Sequence, residues 1–191
     1  MAQEIIDHLE KYLGTIQRGW GPEVLEHREF QIVECRSHAD PDAAAYATLG
    51  LHRHALVSSG GSAQFIRHEL FVLAPTSVGE QHFPAILDQV ATEALAHQRP
   101  YLRGEVIGPR GQLAEGSSME AFYVSIPTIY PDEFAVCSVD GDDVIIVMLV
   151  PITGREAEFV KVRGWSAFED RLVETGADVL NLSRPCTCSR V

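Results

Sequence analysis

The chain has 191 residues, of which 46% are hydrophobic, and a formal net charge of −12. A chain of this length and apolar content can bury a full core, which excludes an intrinsically disordered protein. The negative charge argues against nucleic acid as a ligand, because phosphate binding needs clustered lysine and arginine.

The sequence also carries no membrane or export signal. Its longest apolar run, 144–152, is interrupted by Pro151 and is too short to span a bilayer. Acidic residues interrupt the apolar N-terminus, which therefore differs from a signal peptide. We expect a soluble cytoplasmic protein.

The first third of the chain alternates between helix and strand patterns. Apolar spacing predicts an amphipathic helix over about 3–17. A strand follows over 30–35, and residues 46–51 form a short segment of mixed character. The glycine- and serine-rich stretch 58–62 predicts a loop, so a strand over 65–73 should pair with the segment before it as a hairpin.

A second helix is predicted over 83–98, followed by a long irregular connection over 104–118. A strand resumes at 122–126. Two further strands, 134–139 and 144–150, flank Asp-Gly, a pair that tolerates the positive φ of tight hairpin turns.

The C-terminal part contains two helix-start signals. Thr153 with Glu156, and Ser166 with Glu169, both fit the capping box. The element order predicts an α/β fold of the α+β type, in which flanking helices cover a mixed, mainly antiparallel sheet. Residues 1–180 should form a single domain, followed by a loosely structured tail over 181–191.

Histidines and cysteines offer two conceivable metal sites. His52 and His54 would point the same way on an extended strand, with His68 nearby. Cys186 and Cys188 could bind a soft metal at the end of the chain. Zinc sites usually need three or four ligands, so we favour half-buried histidines and incidental thiols, with no metal and no cofactor.

Cys35 is the other candidate for chemistry, as a nucleophile activated by His27 or His38. A single cysteine within a strand is usually a buried apolar residue, and reduced thiols are expected in the cytosol. We therefore assign no catalytic residue.

Acidic residues are concentrated between residues 115 and 178, a stretch that contains 13 acidic and 4 basic residues. Such a surface either aids solubility or attracts a basic partner. The candidate partner-binding residues lie close together in sequence: Asp132, Glu133, Asp140, Asp142 and Asp143.

Several segments, taken in order, resemble the Suppressor-of-fused domain family. They are YATLGL at 46–51, RHELFVL at 67–73, GEVI at 104–107, EGSSM at 115–119, and VPIT at 150–153 with Glu156, Gly164 and Phe168. The resemblance implies a mixed sheet with flanking helices and offers no catalytic residue.

The resemblance also implies a function. Animal members bind a transcription-factor peptide between this domain and a second one, which we do not expect here because the chain ends where the first domain ends. Single-domain members are bacterial, and many are regarded as immunity proteins of polymorphic toxin systems. We expect a non-catalytic immunity-type or adaptor protein that occludes a partner protein, with a basic toxin such as a nuclease as one candidate. The alternative is a small cysteine- or metal-dependent hydrolase.

Overall fold

The structure, a computed structural model, describes residues 2–21, 29–36, 41–58 and 64–188. Within these ranges, nine strands and four α-helices alternate along the chain. In order they are α1 (Ala2–Leu13), β1 (Thr15–Trp20), β2 (Gln31–Arg36), β3 (Ala43–Leu49), β4 (Leu56–Ser58), β5 (Gln64–Pro75), α2 (Thr76–Ala96), β6 (Val106–Ile107), β7 (Met119–Ser125), β8 (Val136–Val139), β9 (Asp142–Thr153), α3 (Gly154–Arg163) and α4 (Trp165–Thr175). One-turn 3-10 helices lie at Leu51–Arg53 and Asp132–Phe134. No helix of the described ranges is long and apolar enough to cross a membrane.

The strands form one sheet with the order β1-β2-β3-β5-β9-β7-β6. The short strands β4 and β8 add to β5 and β9. The two long strands β5 and β9 run parallel, whereas every other pair is antiparallel. The predicted mixed, mainly antiparallel sheet with flanking helices is therefore confirmed.

Helices cover both faces of the sheet. On one face, here called the α1 face, Leu9 and Phe168 pack with Phe71 of β5. On the opposite α2 face, Phe83 packs with Val72, the next residue of β5. Because successive side chains of a strand point to opposite faces, the strand segments covered on both sides are apolar, as at 70–74 of β5 and 144–152 of β9.

The predicted hairpins and the first capping box are present. Segment 56–58 pairs with β5, although the loop residues 59–63 lie outside the described residues. Asp140 and Gly141 both adopt positive φ between β8 and β9. The Thr153 hydroxyl accepts from the Glu156 N–H, and the Glu156 carboxylate accepts from the Thr153 N–H.

Other boundaries differ from the prediction. The first helix ends at Leu13, followed by Gly14 with a φ of 93°, and the residues after it form β1. Helix α2 begins at Thr76, earlier than predicted. The sequence pattern missed this start because Gly79 and Pro84 have low helix propensity. Gly79 is needed there, since a Cβ would lie 2.6 Å from the Tyr46 ring.

The prediction of a second capping box, at Ser166 and Glu169, is wrong. Ser166 lies inside α4, which follows α3 after the single residue Gly164. The extended backbone of Gly164, with a φ of 87°, turns the chain between the helices, so the Ser166 hydroxyl is not at the N-cap. Phe168 is nevertheless buried, as its inward position in the predicted helix requires.

The expectation of a loose tail needs correction for residues 181–188. They contain no helix or strand, but both guanidinium Nη atoms of Arg184 donate to the buried Glu156 carboxylate at 2.6 and 2.9 Å. The Thr187 N–H and hydroxyl donate to the same carboxylate at 2.9 and 2.7 Å. Burial alone would raise the pKa of Glu156, but the hydrogen bonds from Arg184, Thr187 and Thr153 outweigh it and lower this pKa. These bonds attach the segment 181–188 to the start of α3.

Replacing Arg184 by Met should destabilise the protein by about 3–5 kcal/mol, because the buried Glu156 would lose its charge partner. Urea-induced unfolding measures the change. Arg155→Met, at an exposed position of α3, is the matched control and should cost less than about 0.5 kcal/mol. Equal costs for the two variants would contradict a stabilising role for the ion pair.

His68 should make the fold sensitive to mild acid. It is fully buried in β5, and neither ring nitrogen has a hydrogen-bond partner among the described residues. Burial lowers its pKa from 6.5 to about 4. The unfolded chain therefore binds the proton first as pH falls below 6.5, and stability should drop by about 2 kcal/mol between pH 7 and pH 5.

This pH dependence is measured by urea unfolding of the wild type, His68→Leu and the half-buried control His82→Leu. His68→Leu should flatten the change between pH 7 and pH 5, whatever its stability at pH 7. His82→Leu should keep the change. Glu156 does not interfere with this measurement. Its pKa is lowered from the ordinary 4.5, so its contribution to stability is lost mainly at pH below 4.5. An unaltered pH dependence in His68→Leu would contradict the assignment.

Candidate interaction site

A buried carboxylate, Glu69 of β5, organises the turn that follows β3. Its Oε2 accepts from the Thr48 hydroxyl, and its Oε1 accepts from the Gly50 N–H at 2.8 Å and the His52 N–H at 3.2 Å. The Thr48 hydroxyl in turn accepts from the Leu70 N–H at 2.8 Å. A buried carboxylate is tolerated only when it is hydrogen-bonded in this way.

Gly50 makes this turn possible. Its φ of 109° lies in the region that favours glycine. The turn continues into the 3-10 helix that carries His52, and the His52 Nδ1 lies 2.5 Å from Glu69 Oε1. The two sequence segments 46–51 and 67–73 thus meet in space through one carboxylate.

The three histidines considered as a conceivable metal site are not arranged on one strand. His52 lies in the 3-10 helix, His54 follows it with its ring 3.4 Å from Glu29, and His68 is buried in the sheet. The extended-strand geometry expected for His52 and His54 is wrong, because Glu69 draws the chain into a turn. Within the described residues, no group of three His, Cys, Asp or Glu side chains could hold a metal ion.

The cysteines are free thiols. Cys35 is fully buried in β2, and burial raises its pKa to about 12. The proposed bases His27 and His38 lie outside the described residues. Burial likewise raises the pKa of Cys188 in the C-terminal pair.

The five predicted partner-binding acids fall into two groups. Asp132 and Glu133 lie in the 3-10 helix before β8, whereas Asp140, Asp142 and Asp143 lie at the other end of that strand. The four residues of β8 separate the groups, so the structure does not form one acidic cluster. The second group occupies the turn and the first residues of β9.

Arg67 braces this second group. Its Nε lies 3.0 Å from Asp142 Oδ2, and its Nη1 donates to the carbonyl oxygens of His52 and Arg53 at 3.0 Å each. One guanidinium therefore links β9, β5 and the turn organised by Glu69. A groove of about 560 Å³ opens beside it, lined by His52, Arg53, Arg67, Val139, Asp140, Asp142 and Val144.

Two apolar side chains beside these acids were not predicted as functional. Val57 of β4 and Phe65 of β5 lie directly opposite each other, and they are 37% and 73% exposed. Directly opposed residues of an antiparallel pair share a face, so they form one exposed apolar pair. The sequence pattern could not identify them, because exposed and buried apolar residues look alike in a strand.

Comparison with known proteins supports the family resemblance. The family model for Suppressor of fused protein (SUFU) matches residues 26–185. A SUFU homolog from Neisseria gonorrhoeae has the same fold, with a TM-score of 0.78 and 22% identity over 100% of this chain and 98% of that one. No curated protein matches the chain.

Two further structures share the fold. Sufu in the Sufu–Fu complex has a TM-score of 0.72 and 15% identity, covering 97% of this chain and 91% of that one. Drosophila Suppressor of Fused has a TM-score of 0.69 and 16% identity, covering 97% of this chain but 50% of that one. The family match, over most of the chain, includes Glu69 and its partners and also Glu156 and Arg184. The chain is thus a member of the Suppressor of fused (SUFU) family.

Proposed function

We propose that this protein is a non-catalytic binding module that acts as an immunity-type or adaptor protein by covering the functional surface of a partner protein. A basic partner, such as a toxin nuclease, fits this proposal best. The family is one of protein-interaction modules, and the family member in the Sufu–Fu structure is in complex with another protein. Occlusion requires only a preformed complementary surface.

The observation that carries the proposal is the position of Asp140, Asp142 and Asp143. They project at the end of the β8–β9 hairpin, on a chain whose net charge is −12. Acids grouped on an exposed hairpin turn attract a basic surface and speed its association. Asp132 and Glu133, at the other end of β8, offer a second, separate acidic contact.

The geometry does not favour the alternative of a cysteine hydrolase. A nucleophilic thiol must be exposed and have a lowered pKa, whereas Cys35 is buried and its pKa is raised to about 12. The carboxylates of Glu69 and Glu156 are occupied by structural hydrogen bonds. These residues hold the fold together.

Affinity capture from the native organism, with the tagged full chain as bait, tests the proposal. We expect one basic protein to be retained, and Asp143→Lys should lower its association rate about tenfold at low salt, with a weaker salt dependence. Surface plasmon resonance measures both rates. Recovery of the bait alone would contradict the binding function.

Matched charge changes separate the two acidic groups. Glu158→Lys, at an exposed position of α3, alters the net charge equally and should leave the association rate nearly unchanged. Glu133→Lys reports on the second group. If all three variants slowed association equally, net charge rather than a defined surface would govern binding.

Thiol labelling tests the alternative function. Iodoacetamide at pH 8 should modify Cys186 faster than Cys35, because the Cys186 side chain is partly exposed whereas Cys35 is buried with a raised pKa. Mass spectrometry of digested protein gives the rate at each site. Preferential labelling of Cys35 in the folded protein would revive the hydrolase hypothesis.

A further inference from the structure

The exposed ends of the two central strands form a continuous surface, here called the Phe65 face. It consists of Val57, Phe65, Arg67, Asp142 and Asp143. Since β5 and β9 are parallel, their first residues emerge at the same end of the sheet. The first two residues of each strand are exposed, whereas the later ones are buried almost without interruption.

Phe65 is unusually exposed for an aromatic side chain. At 73% exposure its ring leaves most of its apolar area in water, and Val57 beside it enlarges the patch. A recess of about 490 Å³ lies next to the ring, lined by Ala55, Phe65, Arg67, Asp142 and Asp143. An aromatic side chain surrounded by charged groups is typical of the energetic centre of a protein interface.

A second observation comes from the adjoining groove, which shares Arg67 and Asp142 with the recess. His52 lines this groove, although only 6% of the residue is exposed. Its Nδ1 is bonded to Glu69, and no hydrogen bond to its Nε2 occurs within the described residues. With Nδ1 held by the carboxylate, Nε2 is the ring atom left to form a hydrogen bond in the groove. The groove therefore offers one hydrogen-bonding nitrogen to a ligand.

The charges around the patch favour a basic side chain. Asp143 borders the recess and Asp140 borders the groove, and together they outnumber Arg53, which lines the groove. The charge of Arg67 is offset by Asp142, and its Nη1 is occupied by two carbonyl oxygens. Arginine and lysine supply N–H donors with the complementary charge.

We propose that the Phe65 face and the adjoining groove lined by His52 together bind a segment of a partner protein in which an apolar side chain is flanked by arginine or lysine. The apolar side chain packs against Phe65 and Val57. The basic side chain lies between Asp143 at the recess and Asp140 at the groove. This inference rests on the proposed binding function and adds the chemistry of the segment that is recognised.

A random 12-residue peptide library displayed on phage, panned against the immobilised full chain, tests this inference even while the natural partner is unidentified. Enriched peptides should combine Arg or Lys with a neighbouring large apolar residue. Synthetic copies should bind Phe65→Ser and Asp143→Lys about tenfold more weakly than the wild type, as measured by fluorescence anisotropy.

Val173→Ser is the matched control, since Val173 is 82% exposed on α4, away from the Phe65 face. It should bind the peptides as the wild type does. Versions of the peptides in which Arg is replaced by citrulline should bind the wild type more weakly, because citrulline keeps the N–H donors but loses the charge that Asp143 and Asp140 attract. Circular dichroism of each variant verifies that the fold is kept.

The inference is overturned if the enriched peptides lack basic residues, if no peptide depends on Phe65, or if Val173→Ser weakens binding as much as Phe65→Ser. These outcomes are separable from failure of the proposed function. A natural partner captured equally well by wild type and Phe65→Ser would keep the binding function and reject this surface.

Discussion

The hydrogen bonds to the buried Glu69 carboxylate are the constraint on which this end of the fold depends. A carboxylate in the centre of a sheet is costly unless its oxygens are paired. Thr48, Gly50 and His52 supply those partners, so the chain after β3 must turn at Gly50. The position of His52 and the brace from Arg67 to the carbonyl of His52 follow from this turn.

Glu156 has the same role at the opposite end of β9. It caps α3 through Thr153 and binds Arg184 and Thr187 of the C-terminal segment. A single buried carboxylate thus links a helix start to the end of the chain. Both carboxylates belong to the sequence segments that resemble the SUFU family. Each of these segments therefore contributes a carboxylate to a buried network of hydrogen bonds, which is a physical reason for its sequence.

The candidate binding surface arises from the parallel pairing of β5 and β9. Paired parallel strands begin at the same end of a sheet, and here the first two residues of each strand are exposed. Phe65 and Asp142 are therefore displayed next to each other, although 77 positions separate them in the chain. Both residues precede strand segments that are buried in the core, which reduces the entropy lost when they bind a partner.

The sequence by itself determined the elements whose signals are local. The Asp140-Gly141 turn, the Thr153–Glu156 capping box and the β4–β5 hairpin depend on neighbouring residues, and all three are present. It failed for β3, whose alanines have low strand propensity, and for the start of α2, where Gly79 and Pro84 weaken the pattern.

Only the tertiary structure decided the partners of the polar groups. Nothing near Arg184 in the sequence indicates its bond to Glu156, so its segment looked like a loose tail. Likewise, the five acids lie close together in the sequence, but in the structure they lie at opposite ends of β8. The exposure of Phe65 and the burial of His68 depend on which helices cover which part of the sheet. Local patterns encode backbone conformation, whereas burial and pairing arise from contacts between residues that are distant in the chain.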